Sequence, residues 1–533
     1  MRIPALLSFL LLLLAGWATA AERPNIIYVL CDDLGYGDLK CLNPEGKIAT
    51  PNFDKIAAAG MAFTDAHSGS AVCSPTRYGV LTGRYSWRTP LQKFVLGGLS
   101  PRLIEPGRLT VASLLKQHGY HTTAIGKWHL GMDWGKLPGK EVTALGVETP
   151  EQVWNVDFQK PITGGPTAVG FDNYFGISAS LDMVPYTFIE NDHVTAVPTV
   201  DKVFPLMVGR TGGMTRKGPA AEGFETENVL PTLTRKAVEY IDSRKAAGAQ
   251  PFFLYLPLAS PHTPIVPTEP WQGKSGLNPY ADFVMQTDSA LGELLAALDK
   301  NGFADNTLLI VTSDNGCSPQ AKYDELLPKG HNPSYVFRGT KADIYEGGHH
   351  IPFLVRWPSY VKPGTKSDQT ICLTDFLATS AEIIGTKLPD AAGEDSVSLL
   401  PALLGQASQP LREAVVHHSI DGAFAIRQGP WKLCLCPGSA GWSAPRPGRD
   451  EVSDLPVVQL FNLAEDPGEQ HNIQAERPDI VQRLTKLLEK YVADGRSTPG
   501  AAQKNAVAVD IHSGEHPAPP SAAKKAKGKA AAN

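Results

Sequence analysis

The sequence predicts an α/β protein with a large mixed, mostly parallel sheet flanked by helices, followed by a smaller C-terminal α+β domain. Short apolar runs typical of buried strands each end in polar residues, and amphipathic helical patterns lie between them. After about residue 405 the pattern changes to short strands and turns. Strands that alternate with helices are typical of a parallel sheet covered on both faces. A chain of 533 residues can hold more than one packing unit.

Four of the apolar runs end in polar clusters that can carry chemistry. They are residues 25–30 before Cys31-Asp32-Asp33, 122–125 before Gly126-Lys127-Trp128-His129, 252–258 before Pro261-His262-Thr263-Pro264, and 308–312 before Ser313-Asp314-Asn315-Gly316. In such sheets ligands bind beyond the carboxyl ends of the strands. We therefore expect the four clusters to converge at one edge of the sheet.

Two segments between these strands have helical periodicity. The first is marked by Leu230, Leu233, Ala237 and Ile241, and the second by Phe283, Val284, Leu291, Leu294, Leu295 and Leu298.

A catalytic domain is expected at residues 21–405 and an α+β domain at residues 406–495. Segments 414–417, 423–427 and 431–436 have the character of short antiparallel strands, and Leu460-Phe461-Asn462-Leu463 is another. Apolar residues on one face of residues 480–491 then predict an amphipathic helix. Residues 496–533 are rich in Ala, Pro and Lys, so we expect a disordered tail.

Residues 1–20 have the pattern of a secretory signal peptide. Arg2 gives a positive start, an apolar stretch follows, and Ala18-Thr19-Ala20 is a small-residue cleavage site. The apolar stretch is too short to span a bilayer of about 30 Å, and no later segment has the apolar length of a membrane helix. We therefore expect export to the periplasm or outside the cell, and no membrane span.

The composition excludes some classes of partner and of site. A formal charge of −5 gives no sign of a nucleic-acid binder. Seven scattered cysteines show neither a zinc spacing nor a dense disulfide framework, and an odd number leaves at least one thiol unpaired or used otherwise.

The most specific motif is Cys73-Ser74-Pro75-Thr76-Arg77, followed by Leu81-Thr82-Gly83-Arg84. Here the chain resembles the type I sulfatases, formylglycine-dependent members of the alkaline phosphatase superfamily, whose hallmark is Cys-x-Pro-x-Arg with Leu-Thr-Gly-Arg close behind. The likeness is greatest to arylsulfatases and N-acetylgalactosamine-6-sulfatases. It implies an alkaline phosphatase-like fold and oxidation of Cys73 to formylglycine by a formylglycine-generating enzyme. The alternative is a buried free cysteine, which packs as a small apolar side chain.

A hydrated aldehyde suits the cleavage of sulfate esters. One of its two hydroxyls can attack sulfur, and the other can then lose its proton and expel sulfate. A serine sulfate would instead need water to attack a crowded anionic centre. The covalent sulfate intermediate can therefore break down without attack by water.

Asp32, Asp33, Asp314 and Asn315 supply oxygen ligands suited to calcium. One acidic pair alone is usually a solvated loop or a helix cap, but two such pairs, each ending an apolar strand, are better explained by a shared metal. In the family the corresponding positions bind one calcium together with the formylglycine, here Cys73.

The resemblance also gives roles to cationic residues. Arg77 and Lys127 would hold the hydrate, and His129 would take its proton during sulfate release. His262 and Lys341 would face the sulfate, and one of them would protonate the leaving oxygen; a histidine can serve in either role because its pKa lies near working pH.

One segment departs from the family pattern. After Glu346-Gly347-Gly348 the family commonly has an arginine before the proline, whereas this chain has His349-His350-Ile351-Pro352. We expect the change to alter local packing or charge rather than to remove activity.

Substrate choice is expected in two segments that can reach the edge of the sheet, residues 178–186 and 318–338. The first offers Asp182 as an acceptor for sugar hydroxyls and Tyr186 as an aromatic surface; the second carries His331 and Arg338. The alternative is that Asp182 and Tyr186 simply pack and cap their loop.

The leading interpretation is therefore a calcium-dependent sulfuric-ester hydrolase acting on a sulfated carbohydrate or an aryl sulfate. A phosphodiesterase or phosphonate hydrolase of the same superfamily is a second reading, which could share the aldehyde and the metal ligands. The third is a non-catalytic glycan-binding relative with an unmodified Cys73.

Overall fold

The central strand of the fold is eight consecutive buried residues, Asn25–Asp32. It belongs to a computed structural model that describes residues 23–446 and 452–515, so the predicted signal peptide at residues 1–20 lies outside the described residues. A strand with parallel neighbours on both sides and helices on both faces needs such a near-continuous apolar sequence.

The described residues form eighteen strands and ten α-helices. The strands are β1 (Asn25–Asp32), β2 (Met61–Phe63), β3 (Ala66–His67), β4 (His121–Lys127), β5 (Asn173–Ile177), β6 (Ile189–Glu190), β7 (His193–Val194), β8 (Val200–Lys202), β9 (Gly218–Ala220), β10 (Phe252–Pro261), β11 (Thr307–Ser313), β12 (Phe353–Arg356), β13 (Thr365–Ser367), β14 (Ile371–Cys372), β15 (Val415–His418), β16 (Phe424–Gln428), β17 (Trp431–Cys434) and β18 (Gln459–Asn462). The helices are α1 (Pro51–Ala58), α2 (Cys73–Thr82), α3 (Val111–Gln117), α4 (Val229–Arg244), α5 (Pro279–Asn301), α6 (Tyr323–Leu326), α7 (Glu346–His349), α8 (Phe376–Ile383), α9 (Leu400–Leu403) and α10 (Pro478–Ala493).

The main sheet has ten strands in the order β13-β2-β12-β11-β1-β10-β4-β5-β6-β7. Its centre, from β11 to β5, is parallel. The antiparallel pairs lie towards its two sides, where β12 joins β11 and β2, and β6 joins β5 and β7. The predicted mixed sheet is confirmed, and the four apolar runs of the sequence are β1, β4, β10 and β11.

Helices cover both faces of this sheet, as the alternating side chains of β1 show. Ile27 and Val29 pack with the apolar residues of α1, α4 and α5. Tyr28 and Leu30 pack with those of α2, α3 and α8 on the other face. Both predicted helices are present, as α4 and α5.

A second sheet, β15-β16-β17-β18, is antiparallel and carries α10 on its apolar face. The smaller α+β unit is thus confirmed in kind, while the domain limits at residues 405 and 495 stay predictions. Among residues 23–446 and 452–515, every helix is too short or too polar to cross a membrane.

The expectation of disorder from residue 496 onward is wrong for residues 496–515. Ile511 is buried against the second sheet. The Ala506 N–H donates to the Arg88 carbonyl at 2.8 Å, and Arg88 donates to Asn505 Oδ1 at 2.9 Å. Val509 and Ile511 alternate with polar residues and give this stretch apolar contacts that composition alone does not reveal. The Lys-rich part, residues 516–533, lies outside the described residues.

A buried lysine of the second sheet pairs with an acid at the start of α7 and with another in the C-terminal part of the chain. Lys432 on β17 lies 3.0 Å from Glu346 Oε1 and 2.8 Å from Glu469 Oε1, and all three side chains are buried. Burial would raise the pKa of Glu346, but Lys432 and then His67 hold it well below its usual value. His350, in the segment that departs from the expected pattern, keeps a ring nitrogen 2.9 Å from Glu346 Oε2.

We predict that Lys432→Met destabilises the protein strongly, because two buried carboxylates lose their shared cation. The expected loss is about 3–5 kcal/mol in the free energy of unfolding, measured by denaturant titration. The matched control is Lys490→Met, which removes an exposed lysine paired with Asp494 and should cost about 0.5 kcal/mol or less. Equal effects of the two substitutions would contradict this account of Lys432.

Candidate active site

Four polar clusters meet at one edge of the main sheet. Strands β4, β10, β1 and β11 are adjacent and parallel, so their carboxyl ends lie side by side. Asp32 and Lys127 end β1 and β4, while His262 and Asp314 directly follow β10 and β11. The expected convergence is therefore confirmed by the topology.

Cys73 is the first residue of α2 and lies at the centre of these clusters. Its side chain is 2% exposed, with Sγ 3.7 Å from Asp32 Oδ1 and 3.5 Å from Lys341 Nζ. Pro75 is tolerated in the first turn because the N–H groups there have no partner within the helix. The positive end of the helix dipole at Cys73 favours an anion at this position.

Three carboxylates and one amide, from Asp32, Asp33, Asp314 and Asn315, form a buried cluster that reaches Cys73 through Asp32. Asn315 Nδ2 donates to Asp33 Oδ1 at 2.7 Å, and the Asp33 N–H donates to Asp314 Oδ1 at 3.3 Å. Asp33 Oδ2 and Asn315 Oδ1 are buried and have no hydrogen-bond partner. Both orphaned atoms are acceptors, and a hard cation is the group that would satisfy them.

Three buried cations balance these acids. Arg77 donates from Nε and Nη2 to Asp314 Oδ2 at 3.1 and 2.7 Å. Lys127 Nζ donates to Asp32 Oδ2, and Lys341 Nζ lies 2.7 Å from Asp33 Oδ1. Each carboxylate thus has one close cationic partner, and the six charges sum to zero. A divalent cation would leave the site with the positive excess that an anionic ligand requires.

The pKa values of Asp32 and Asp314 are shifted in opposite directions. Burial would raise the pKa of Asp32, but Lys127, His262 and Arg77 hold it well below its usual value. Burial and the negative charge of Asp32 raise the pKa of Asp314 to about 6, against the opposing effect of Arg77.

Two histidines face the same space with different hydrogen bonds. His129 Nε2 lies 2.9 Å from the Leu96 carbonyl, so this nitrogen carries the proton, and the buried Nδ1 has no partner. Burial, then Lys127 and Arg77, lower the pKa of His129 well below its usual value, which keeps the ring neutral. His129 Nδ1 is consequently a free proton acceptor. His262 lies 3.6 Å from Asp33 Oδ2 and within 3.4 Å of Ser180 Oγ.

A cavity of about 430 Å³ opens above Cys73. Its polar lining includes His129, His262 and Lys341. Asp182 also lines it, with a buried Oδ1 that has no hydrogen-bond partner. The structure therefore brings Asp182 to the cavity, while its role in substrate binding stays a prediction, as do the individual catalytic roles.

Two other sequence expectations are wrong. Tyr186 offers no aromatic surface, because it is 1% exposed, packs against Phe204 and places its hydroxyl 2.9 Å from Thr215 Oγ1. His331 is fully buried and lies 2.9 Å from Asp38 Oδ1.

Arg338, expected in the same segment, lies over the Tyr345 ring instead of lining the cavity. In each case the loop turns the side chain towards neighbouring loops, which sequence spacing does not specify.

Sequence reasoning missed several residues that line the cavity, among them Phe94, Ile420 and Trp442. The last two come from the C-terminal part of the chain, which had no assigned role in the site. Trp442 stands in a loop rich in Gly, Ser and Pro, where an aromatic residue has no strand or helix pattern to explain it. A tryptophan in such a loop was the sequence signal that could have indicated a residue of the binding site.

The sequence profile of the sulfatase family matches residues 24–386. The chain is 34% identical to an N-acetylgalactosamine-6-O-sulfatase of Bacteroides thetaiotaomicron, over 88% of this chain and 93% of that protein. It is 31% identical to arylsulfatase A of Homo sapiens, over 96% and 97% of the two chains. A solved Bacteroides thetaiotaomicron structure, described in the context of glycosaminoglycan metabolism, superposes with a TM-score of 0.74 at 32% identity and covers 88% of this chain and 99% of that one.

We predict that Asp314→Ala lowers the free energy of unfolding by about 3–5 kcal/mol, because Arg77 stays buried without its partner. Thermal and denaturant unfolding measure the change. The double variant Asp314→Ala/Arg77→Met should recover part of the loss, since it buries no unpaired charge. A single variant as stable as the wild type would show that the Arg77–Asp314 pair does not hold β11 to α2.

Proposed function

Since this chain belongs to the sulfatase family, we propose that it hydrolyses a sulfated saccharide with a formylglycine made from Cys73 and with calcium as its metal. One observation carries the proposal. Cys73 lies at a helix N-terminus, in a buried cluster that contains both unsatisfied oxygen acceptors and cations, with Lys341 Nζ 3.5 Å from its Sγ. This arrangement suits a nucleophile that must approach an anionic sulfate.

The unmodified thiol is a poor candidate for the nucleophile. Burial raises the pKa of Cys73 to about 12, although Lys127 and Lys341 oppose it, so the reactive thiolate is scarce at neutral pH. A hydrated formylglycine supplies a hydroxyl nucleophile and a second hydroxyl that allows sulfate to leave without attack by water. Because Cys73 is only 2% exposed, the formylglycine-generating enzyme must reach it before α2 packs.

Calcium fits the four residues proposed to hold it, which are Asp32, Asp33, Asp314 and Asn315. Their donors are carboxylate and amide oxygens, and two of those oxygens are buried without partners. When bound, the ion would withdraw charge from the sulfate oxygens and compensate the acidic cluster.

The residues of the chain divide the remaining work. Arg77 pairs with Asp314, and Lys127 pairs with Asp32. These two cations position the hydrated side chain of residue 73. His129, neutral and with a free Nδ1, accepts the proton that is lost when sulfate leaves. Lys341 is held by Asp33, so it stabilises sulfate as a fixed charge, and His262 donates the proton to the leaving oxygen.

A relative named N-acetylgalactosamine-6-O-sulfatase supports a sulfated amino sugar as the substrate class. The predicted signal peptide supports action in the periplasm or outside the cell. The phosphodiesterase reading predicts faster turnover of nitrophenyl phosphate esters than of nitrophenyl sulfate. The binding-protein reading predicts an unmodified Cys73 and no turnover.

The maturation test is mass spectrometry of the peptide that contains Cys73, from protein made in a host with a formylglycine-generating enzyme. We expect an aldehyde oxygen in place of the thiol sulfur. Cys73→Ala should fold normally and lose turnover by about 10⁴-fold or more. Cys41→Ala, a half-buried cysteine outside the cavity, should keep wild-type activity. Undiminished activity in Cys73→Ala would refute the mechanism.

We also predict one calcium ion per chain, measured by elemental analysis of the purified protein. Asp33→Ala should lower the bound calcium and the turnover together, because it removes one oxygen ligand and leaves Lys341 without its partner. The control Asp201→Ala removes a half-exposed carboxylate elsewhere on the surface and should change neither quantity. Full activity in wild-type protein without any bound metal would contradict the assignment.

A further inference from the structure

The cavity above Cys73 has a polar part, here called the floor, and a largely apolar part, here called the wall. The floor carries His129, His262 and Lys341, while the wall is largely apolar, with Phe94, Met183 and Trp442 among its members. A sulfate group needs only the polar floor. The apolar wall therefore faces the alcohol to which the sulfate is bound, and its chemistry describes that alcohol.

Phe94, in this wall, has a backbone conformation that is unfavourable for an aromatic residue. Its backbone has φ of 62°, a left-handed conformation that is rare for an aromatic residue, and its side chain is 48% exposed. The Phe94 N–H donates to the Ile420 carbonyl at 2.8 Å, which anchors the turn. Strain at a non-glycine residue that also exposes an apolar ring is a common feature of ligand sites.

Trp442 is anchored to the catalytic loop through its backbone. Its N–H donates to Asp343 Oδ1 at 2.7 Å, and Asp343 also accepts from the Thr340 N–H at 2.8 Å. Asp343 is buried and lies two residues from Lys341. Within the described residues, the Trp442 ring stacks on no other aromatic ring. The backbone of Trp442 is thus fixed close to Lys341, and its side chain lines the cavity.

Asp182 adds a polar group to the same cavity. Its Oδ1 is buried without a hydrogen-bond partner, and its backbone carbonyl accepts from the Arg216 N–H at 3.1 Å. Arg216 also lines the cavity. The Asp182 carboxylate can accept a hydrogen bond from a hydroxyl of a ligand in the cavity.

We propose that Trp442, Phe94 and Asp182 form a binding site for the pyranose ring that carries the sulfate. The C–H face of the sugar lies on Trp442 beside Phe94, and a ring hydroxyl donates to Asp182. This inference rests on the proposed function and names the part of the substrate that the catalytic residues do not touch.

The combination favours a sugar over other alcohols. A simple aryl group could lie against the aromatic wall, but it has no hydroxyl for the Asp182 carboxylate, which would lose hydration without a hydrogen bond in return. A ligand that carried only hydroxyls and no apolar face would leave Trp442 without a partner. A pyranose ring has both surfaces.

The test compares a substrate that has the ring with an inhibitor that lacks it. The probes are 6-O-sulfated N-acetylgalactosamine, with a panel of other sulfated hexoses, and inorganic sulfate as a competitive inhibitor. Trp442→Ala should lower kcat/KM for the best sulfated sugar about tenfold, mainly through KM. The inhibition constant of inorganic sulfate should stay within about twofold, because sulfate contacts only the floor.

Three further variants make the result specific. Trp442→Phe should recover part of the loss, because it keeps an aromatic surface. Trp431→Ala truncates a tryptophan of the C-terminal sheet that lies outside the cavity and should leave KM unchanged. Asp182→Asn should lower kcat/KM for the sugar about tenfold and spare nitrophenyl sulfate.

Several outcomes would overturn the sugar site. They are unchanged sugar kinetics in Trp442→Ala, an equal loss for inorganic sulfate, or a wild-type enzyme that hydrolyses nitrophenyl sulfate but no sulfated sugar of the panel. A wild-type protein with formylglycine that hydrolyses neither class would instead refute the proposed function.

Discussion

The structure depends on a balance of buried charge at the carboxyl edge of the main sheet. Asp32, Asp33 and Asp314 could not be buried together without Arg77, Lys127 and Lys341, because each unpaired charge would cost several kcal/mol. These residues come from five separate stretches of the chain, namely β1, α2, the end of β4, the turn after β11 and the loop before α7. The charge balance therefore fixes the positions of the loops that form the site as well as the charge of the site.

The C-terminal unit takes part in the same arrangement. Lys432 on β17 neutralises Glu346, at the start of α7, and Asp343 in the preceding loop holds Trp442. The segment from Lys341 to Glu346 thus has buried contacts with the C-terminal unit on both sides. Lys341 in this segment also lines the cavity, so the C-terminal unit is connected to a site that lies at the edge of the main sheet. The sequence analysis treated the two domains separately and therefore assigned the whole site to the first domain.

Much of the fold was predictable, because the central strands are buried on both faces and leave long apolar runs in the sequence. The convergence of Asp32, Lys127, His262 and Asp314 followed from parallel topology alone. Loop residues were harder to predict. Asp182 and Tyr186 lie four residues apart, yet one lines the cavity and the other is buried beneath Thr215. Such outcomes depend on how a loop turns against its neighbours, and no periodicity in the sequence records that.

Three of the non-glycine residues with a left-handed backbone lie at this site. Asp33, His129 and Phe94 have φ of 64°, 55° and 62°, values that glycine adopts at little cost. Each such non-glycine residue costs about 1–3 kcal/mol. Glycine would remove the strain, but it would also remove an oxygen acceptor, a proton acceptor or an aromatic surface. All three side chains face the same site, so the fold keeps strained turns where the chain must reverse and still present a functional group to the sulfate or to its alcohol.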